Sequence, residues 1–520
     1  MVGVMALLRE RAVRLRLGAA ALSGVLLALA FPALDWGPLA LVALVPLLWA
    51  WRGAGPARAA LYGFVAGVVF FAILLYWIWY FGPYAYLPLI AALAAYTALT
   101  GALVGWLGRC RLASPWLLGA AWVLPEALRG RWPLGGFPWG ELGAALHDLP
   151  AARALASWGG VTLVSYLVVV VNALVLDLVL ALRSGQRPAL RCAGAAILGV
   201  AVVVAGAVVL RVEPDPSGHL RVALLQGNDR NRALTVAERN TFLPESHLAL
   251  GDRLVGPYDL VVFPESSLGD LDPQVDRTLR ARITGLAAAH DADVLVNAIV
   301  EVPGPDDRIW NMNLLYEPDG SVQGRYAKQH LVPFGEYVPW RSHLGFIKAL
   351  EQVPRDFKPG DDRVLFDVRG HRVASIICFE SAFAPLVRDF VRDGAEVVVV
   401  STNNRSYRRS SNAAQHVAQS QMRAAETGRP VLQASVSGIS AVIDASGDVL
   451  ETSPLFRNGT ISTVVTTMTG ETPYVRFGEW ALWGSALALV VAAVVGRRRL
   501  LRTAAAPRRI PASSTERGSA

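Results

Sequence analysis

The sequence has 520 residues, which is enough for two or three domains. Hydrophobic residues make up 53% of the chain and charged residues only 17%, a balance that excludes an ordinary soluble protein. The formal charge is +8, but the basic residues lie in short loops and at the C-terminal end. This distribution is typical of membrane orientation, and we expect no nucleic-acid partner.

Apolar segments close to the length that crosses a bilayer are concentrated at the two ends of the chain. We predict seven spans before the polar region and an eighth after it, of which the second, fifth and eighth are short. The first is predicted to be an uncleaved signal anchor, because further spans follow it. In chain order the spans are Leu17–Ala33, Gly37–Trp51, Ala59–Tyr80, Leu87–Leu107, Pro115–Leu128, Val161–Leu182, Ala193–Leu210 and Trp480–Val495.

The placement of arginine predicts the orientation of these spans. Every second connection is basic, namely the N-terminus, Arg52–Arg58, Arg109–Arg111, Arg183–Arg191 and Arg497–Arg502. These connections should be cytoplasmic, although the long Gly130–Gly159 connection also carries arginine. We therefore predict a seven-span transmembrane domain over 1–211, an extracytoplasmic domain over 212–476, a C-terminal transmembrane helix over 477–496 and a basic, disordered cytoplasmic tail over 497–520.

The predicted outer region alternates short β-rich runs with helical stretches such as Pro273–His290 and Asn412–Thr427. Such alternation favours a layered sheet–helix sandwich. The predicted strands are Leu220–Gln226, Asp259–Phe263, Ala292–Val300, Val373–Cys378, Glu396–Ser401 and Val431–Asp444.

Three motifs lie at the ends of predicted strands. Glu265 follows an apolar strand and a proline in Val-Val-Phe-Pro-Glu-Ser-Ser, and Cys378 ends the strand of Ile-Ile-Cys-Phe-Glu-Ser. Lys328 and Glu336 lie in Tyr-Ala-Lys-Gln-His-Leu-Val-Pro-Phe-Gly-Glu-Tyr-Val-Pro. Lysine is otherwise rare, with only Lys328, Lys348 and Lys358 among 49 basic residues. A lysine retained in so arginine-rich a chain suggests a need for a compact point charge.

These residue types suit nucleophilic catalysis. A cysteine nucleophile needs a base or a nearby positive charge, and an oxyanion stabiliser opposite the thiol. Glu265 can act as the base, while Lys328 and the backbone N–H of Phe379 can stabilise the oxyanion. Each residue alone is more often structural, but the order Glu, Lys, Cys on three strand ends favours a catalytic site. We find no metal-ligand spacing and no glycine-rich phosphate loop, and we expect no metal and no cofactor.

Topology singles out the same cysteine. Cys110 and Cys192 lie at predicted cytoplasmic ends of spans, so Cys378 should be the only cysteine outside. Outer compartments oxidise cysteines into pairs, and an unpaired thiol there is a candidate reactive group.

The Glu–Lys–Cys order resembles the nitrilase, or carbon–nitrogen hydrolase, superfamily. The stretch Lys-Gln-His-Leu-Val-Pro-Phe-Gly-Glu-Tyr-Val-Pro is similar to the signature of the apolipoprotein N-acyltransferase family, as are Gly136–Trp139, Gln226–Asn228 and Arg423–Pro430. The resemblance covers nearly the whole chain. It implies a multi-span α-helical membrane domain joined to an α/β nitrilase-like, four-layer αββα sandwich.

The resemblance also implies a reaction and a set of roles. Members of the family take an acyl chain from a membrane phospholipid as a cysteine thioester, then pass it to the α-amino group of the diacylglyceryl-cysteine of an apolipoprotein. By resemblance, Glu265 is the base, Lys328 the oxyanion stabiliser and Cys378 the nucleophile. Glu336 would support the lysine and Glu380 would organise the loop after the nucleophile. The implied location is the bacterial cytoplasmic membrane, with the catalytic domain outside.

The chain departs from the family pattern at three places. Phe379 stands where tyrosine is frequent, and Arg232-Ala-Leu-Thr follows the Gln226 motif where a tryptophan is frequent. Arg405-Ser-Tyr replaces the usual Ala-Trp-Phe. The last two departures affect the expected donor preference rather than the catalytic residues. Two alternatives remain at this point: a tethered extracytoplasmic amidase, which one anchor would serve, and a membrane scaffold, which would predict decayed catalytic positions.

Overall fold

The computed structural model describes residues 11–212, 214–229, 234–305, 307–344 and 346–505. Part of the predicted departure after Gln226, at positions 230–233, lies outside the described residues. So do residues 506–520 of the predicted tail.

The N-terminal part of the chain is helical. Its helices are α1 (Arg11–Leu29), α2 (Ala40–Ala43), α3 (Val45–Trp51), α4 (Pro56–Leu74), α5 (Pro83–Arg109), α6 (Pro115–Arg129), α7 (Pro150–Ser184) and α8 (Arg187–Val209). The helices of the remaining chain are α9 (Val236–Gly251), α10 (Arg277–His290), α11 (Arg341–Leu344), α12 (Ala384–Arg392), α13 (Asn412–Thr427), α14 (Pro473–Phe477) and α15 (Trp480–Ala505).

Six described helices are long and apolar enough to cross a membrane: α1, α4, α5, α7, α8 and α15. The predicted second span is instead broken into a 3-10 turn, α2 and α3, because Pro38 and Pro46 cannot donate backbone hydrogen bonds within a helix. The predicted fifth span is α6, which has only 15 residues. The last helix continues to Ala505, beyond the predicted end at Val495, so the first part of the predicted tail is helical.

Helix α7 bends where it leaves the predicted outer loop. Gly159 and Gly160 have non-helical backbone angles, and Gly160 has a φ of +70°. A Cβ at Gly160 would lie 2.7 Å from the Tyr474 ring, so glycine permits both the angle and the close approach. Beyond the bend, the N–H of Val161 donates to Glu426 Oε1 at 2.7 Å. A carboxylate of α13 in the α/β domain therefore caps the apolar part of α7.

Two mixed β-sheets form the centre of the α/β domain. The first has the order β13-β1-β2-β3-β4-β5, with β6 paired to β4, and the second has the order β12-β11-β10-β9-β8-β7. The strands are β1 (Asp215–Gln226), β2 (Leu260–Val262), β3 (Asp293–Glu301), β4 (Arg308–Tyr316), β5 (Val322–Ala327), β6 (Asp356–Phe357), β7 (Leu365–Val368), β8 (His371–Ile377), β9 (Val397–Thr402), β10 (Val431–Ser435), β11 (Ala441–Ile443), β12 (Val449–Thr452) and β13 (Gly459–Thr469).

Helices cover the outer face of each sheet. Leu248 of α9 and Ile283 of α10 pack on the first sheet, and Val387 of α12 and Met422 of α13 are buried against the second. The inner faces share one apolar core, as expected for alternating buried side chains. This arrangement confirms the predicted αββα sandwich. The predicted strand Val431–Asp444 is instead the antiparallel pair β10 and β11, because the chain turns between them at Ser437 and Gly438.

Candidate active site

The three sequence-predicted residues meet where strands of both sheets end. Glu265 follows β2, Lys328 follows β5, and Cys378 directly follows β8 in the facing sheet. The Lys328 ammonium lies 3.4 Å from Glu265 Oε1 and 2.7 Å from Glu336 Oε1. Lys328 is only 1% exposed and Glu265 6% exposed. The fold thus brings four predicted side chains together in a buried group.

Burial and charge set the protonation of this group. Burial alone would lower the pKa of Lys328, but Glu336 and Glu265 outweigh it and raise that pKa well above its usual value. Burial raises the pKa of Glu265, and Lys328 opposes this shift. Asn311 Nδ2 donates to Glu265 Oε1 at 2.8 Å and fixes the orientation of the carboxylate. The lysine is therefore a permanent cation beside a carboxyl group that accepts a proton more readily than usual.

Cys378 sits on a sharp turn. Its φ is +53°, a left-handed angle that costs a residue other than glycine about 1–2 kcal/mol. Burial and the neighbouring Glu265 raise the pKa of the thiol to about 12, against the lowering effect of Lys328. This shift favours the thiol over the thiolate, and Lys328 is the neighbouring charge that favours the thiolate. The Glu265 carboxylate hydrogen-bonds to the thiol.

Glu380 joins the nucleophile turn to the lysine segment. Its carboxylate accepts hydrogen bonds from Ile377 N at 2.8 Å, Gln329 N at 2.7 Å and His330 N at 3.1 Å. The Tyr326 hydroxyl also donates to it, at 2.9 Å. Glu380 therefore fixes Cys378 relative to Lys328, and it holds the segments on both sides of the site.

His416 of α13 is a site residue that the sequence analysis missed. Its ring is buried, and burial lowers its pKa to about 4, so the imidazole is neutral. Asn404 Nδ2 lies 3.2 Å from Nδ1, which assigns the proton to Nε2. Nε2 then donates to the backbone carbonyl of Cys378 at 3.1 Å and lies 2.7 Å from Ser381 Oγ. His416 thus braces the left-handed turn of the nucleophile.

The membrane part of the chain reaches this turn through Trp139. The indole stacks on Phe379 with ring centroids 6.4 Å apart, and its Nε1 donates to Gln415 Oε1 at 2.8 Å. Gln415 also accepts from Trp77 Nε1 at 3.1 Å and donates to the carbonyl of Pro32 at 2.9 Å. Trp139 is therefore a buried junction residue, whereas Trp132 is largely exposed.

The departure at Arg405-Ser-Tyr also meets the membrane part. Tyr407 packs edge-on against Trp77 and Phe81, with ring centroids 4.7 Å and 5.6 Å apart. Burial raises the pKa of Tyr407 well above its usual value, so its hydroxyl stays neutral.

One group in the described part of the chain has the composition of a metal site. Asp35, His147 and Asp148 place one potential ligand atom each within 4.8 Å of one another. Both nitrogens of His147 are already engaged, Nδ1 with Gln421 Oε1 at 2.7 Å and Nε2 with Asp35 at 3.0 Å. Burial would lower the pKa of His147, but Asp148 and Asp35 raise it to about 9. An imidazolium held by two carboxylates explains this group without a metal.

Comparisons with known proteins agree with this geometry. Residues 23–174 match the family described as apolipoprotein N-acyltransferase N-terminal domain, and residues 221–474 match carbon-nitrogen hydrolase. The chain is 33% identical to the apolipoprotein N-acyltransferase of Methylococcus capsulatus over 500 residues, covering 92% of this chain and 95% of the relative. It is 34% identical to that of Geobacter metallireducens over 506 residues, with the same coverage of 92% and 95%. The chain is a multi-pass membrane N-acyltransferase, and it belongs to the apolipoprotein N-acyltransferase family.

Proposed function

We propose that this enzyme acylates apolipoproteins in two steps, with a membrane phospholipid as donor and a thioester on Cys378 as intermediate. The observation that carries this proposal is the buried group of Lys328 with Glu265 and Glu336, beside a thiol on a strained turn. A permanent cation, a carboxyl base and a nucleophile in one buried site are the parts that acyl transfer requires.

In the first step Glu265 takes the proton of the Cys378 thiol, and the sulfur attacks the ester carbonyl of the phospholipid. The Lys328 ammonium and the backbone N–H of Phe379 stabilise the oxyanion that forms. When the ester C–O bond breaks, the protonated Glu265 returns its proton to the departing lysophospholipid oxygen. The acyl group is then held as a thioester.

In the second step the α-amino group of a diacylglyceryl-cysteine attacks the thioester carbon. The new C–N bond forms, the C–S bond breaks, and Glu265 receives the proton that the amine loses. That proton returns to the sulfur of Cys378, which restores the resting thiol. Burial of Lys328 and Glu265 supports aminolysis over hydrolysis, because little water reaches the site.

We also propose on which side of the membrane the catalytic domain lies. The basic connections of the helical part support a cytoplasmic N-terminus in a bacterial cytoplasmic membrane, with residues 212–476 as the extracytoplasmic catalytic domain and 477–496 returning to the cytoplasm. Both substrates are bilayer lipids, and a site joined to the membrane part through Trp139 suits them.

The test uses purified full-length protein and phospholipid labelled in its acyl chain. We expect hydroxylamine-sensitive label on the wild-type protein and none on Cys378→Ala. Addition of a diacylglyceryl-cysteine peptide should then move the label to the peptide. Folded wild-type protein that takes no label from any of several phospholipids would contradict the thioester and favour a tethered amidase.

A further inference from the structure

A cavity of about 340 Å³ lies at the junction of the membrane part and the catalytic domain. One wall is formed by the α6–α7 connection and the bend of α7, including Arg131, Glu141 and Val161. The opposite wall includes His330 and Phe383, which flank the turn that carries Cys378. The cavity is therefore next to the candidate active site and lined by residues of both parts of the chain.

Glu141 is a carboxyl group that lines this cavity and has no hydrogen-bond donor in the described part of the chain. Burial raises its pKa to about 8, with Arg423 acting in the opposite direction. Arg131, the other charged residue on the same wall, is already bonded to Glu479.

The charged groups near Glu141 have partners of their own. Arg423 pairs with Glu426 at 2.7 Å, and Arg129 donates to the backbone carbonyl of Phe137 at 2.8 Å. Glu126 accepts from the N–H of Leu142 at 2.9 Å. Neither guanidinium group is therefore bonded to the Glu141 carboxylate, which leaves it available to a cationic occupant of the cavity.

We propose that this cavity binds the primary ammonium group of a lipid substrate through Glu141. An ammonium is compact and offers three donors to a carboxylate, and apolar residues such as Val161 and Phe383 suit the neutral lipid atoms beside it. His330 supplies no competing charge, because burial lowers its pKa. The inference rests on the proposed function, since it assumes lipid substrates at this site.

Two sources could supply this ammonium: an amino headgroup of the phospholipid donor, or the α-amino group of the acceptor. Cys378 does not line the cavity. A headgroup could remain in the cavity while its ester, several bonds away, reacts with the thiol. An α-ammonium could dock there only before it moves to the thioester. The two sources act in different half-reactions and can be separated.

The experiment compares full-length wild-type protein with Glu141→Gln and uses Glu245→Gln, an exposed position on α9, as control. Thioester formation is measured with vesicles of phosphatidylethanolamine or of phosphatidylglycerol, and aminolysis with a diacylglyceryl-cysteine peptide. If the headgroup binds, Glu141→Gln should slow thioester formation from phosphatidylethanolamine about tenfold and leave phosphatidylglycerol unchanged. If the acceptor binds, thioester formation should be unchanged and the KM for the peptide should rise about tenfold.

The pH dependence gives a second readout that needs no variant. Only the carboxylate form of Glu141 attracts an ammonium, so the KM for the amine-bearing substrate should fall as the pH rises toward 8. The groups that face Glu141 are Arg423, Glu126, Arg129 and Glu426, with Arg131, His330, Tyr474 and Glu479 around the cavity. The fall in KM with rising pH should be absent in Glu141→Gln.

Two results would overturn the inference. Kinetics of Glu141→Gln that match wild type in both half-reactions would show that the carboxylate binds neither amine. An equal loss with every lipid, which Glu141→Asp does not restore, would assign Glu141 to packing. Absence of any thioester in the wild-type protein would instead refute the proposed function, so the two failures are distinguishable.

Discussion

Replacing His416 tests whether the geometry of the nucleophile turn limits catalysis. The ring donates from Nε2 to the carbonyl of Cys378, whose φ of +53° is held against a cost of about 1–2 kcal/mol. One such hydrogen bond contributes about 0.5–1.5 kcal/mol, and an orphaned buried carbonyl costs about 1–3 kcal/mol. If the reactive conformation of the Cys378 turn becomes less stable by about 2 kcal/mol, thioester formation becomes roughly 30-fold slower.

Two variants of similar size isolate this contact. In His416→Gln the amide can reach the same carbonyl and donate to it, whereas the shorter side chain of His416→Asn cannot. We therefore expect His416→Asn to show the roughly 30-fold loss and His416→Gln to recover most of it. The measurement is the rate of acyl-label transfer to Cys378, with thermal unfolding as a control for folding.

The pH profile separates positioning from acid–base chemistry. Burial lowers the pKa of His416 to about 4, so the ring is neutral throughout the working range. Its replacement should lower the rate by the same factor at every pH above that value. A wild-type rate in His416→Asn would refute the positioning role. So would a pH dependence of the wild-type rate that is missing in the variant.

The remaining predictions concern the buried group and the junction. Lys328→Arg should slow thioester formation about 10- to 100-fold, because a planar guanidinium overpacks a site that is 1% exposed; a wild-type rate would contradict this. The same rate should fall as the pH drops through the pKa of Glu265, since only the carboxylate is a base. This fall should occur at a higher pH than for an exposed glutamate, because burial raises the pKa. Trp139→Ala should destabilise the junction by about 3–5 kcal/mol, seen as a lower Tm, and an unchanged Tm would exclude a buried structural contact.

The sequence could predict where the candidate site residues lie because they follow strand ends. Glu265 and Cys378 each follow a short apolar run, and such runs become buried strands whose ends meet at one edge. The two broken or short spans were predicted less well. Hydropathy marked the segment Gly37–Trp51 as a short span, but it does not register that Pro38 and Pro46 interrupt a helix.

The residues that sequence reasoning missed make contacts across long separations. His416 touches Cys378 from 38 positions away, and Gln415 touches Trp139 from 276 positions away. Both lie inside a regular helix, where periodicity predicts only which face is buried. The one available signal was polarity: α13 is buried along its length yet carries glutamines and a histidine, and buried polar groups need partners.

Helix α13 explains why the catalytic domain is joined to the membrane part. Gln415 accepts a hydrogen bond from Trp139, and Glu426 accepts one from the N–H of Val161. His416, which lies between these two residues in the sequence, donates to the Cys378 carbonyl. A shift of the membrane helices would therefore move the same rigid element that supports the nucleophile. Because α13 is a single helix with contacts on both sides, we expect a change at the junction to alter the geometry at the thiol.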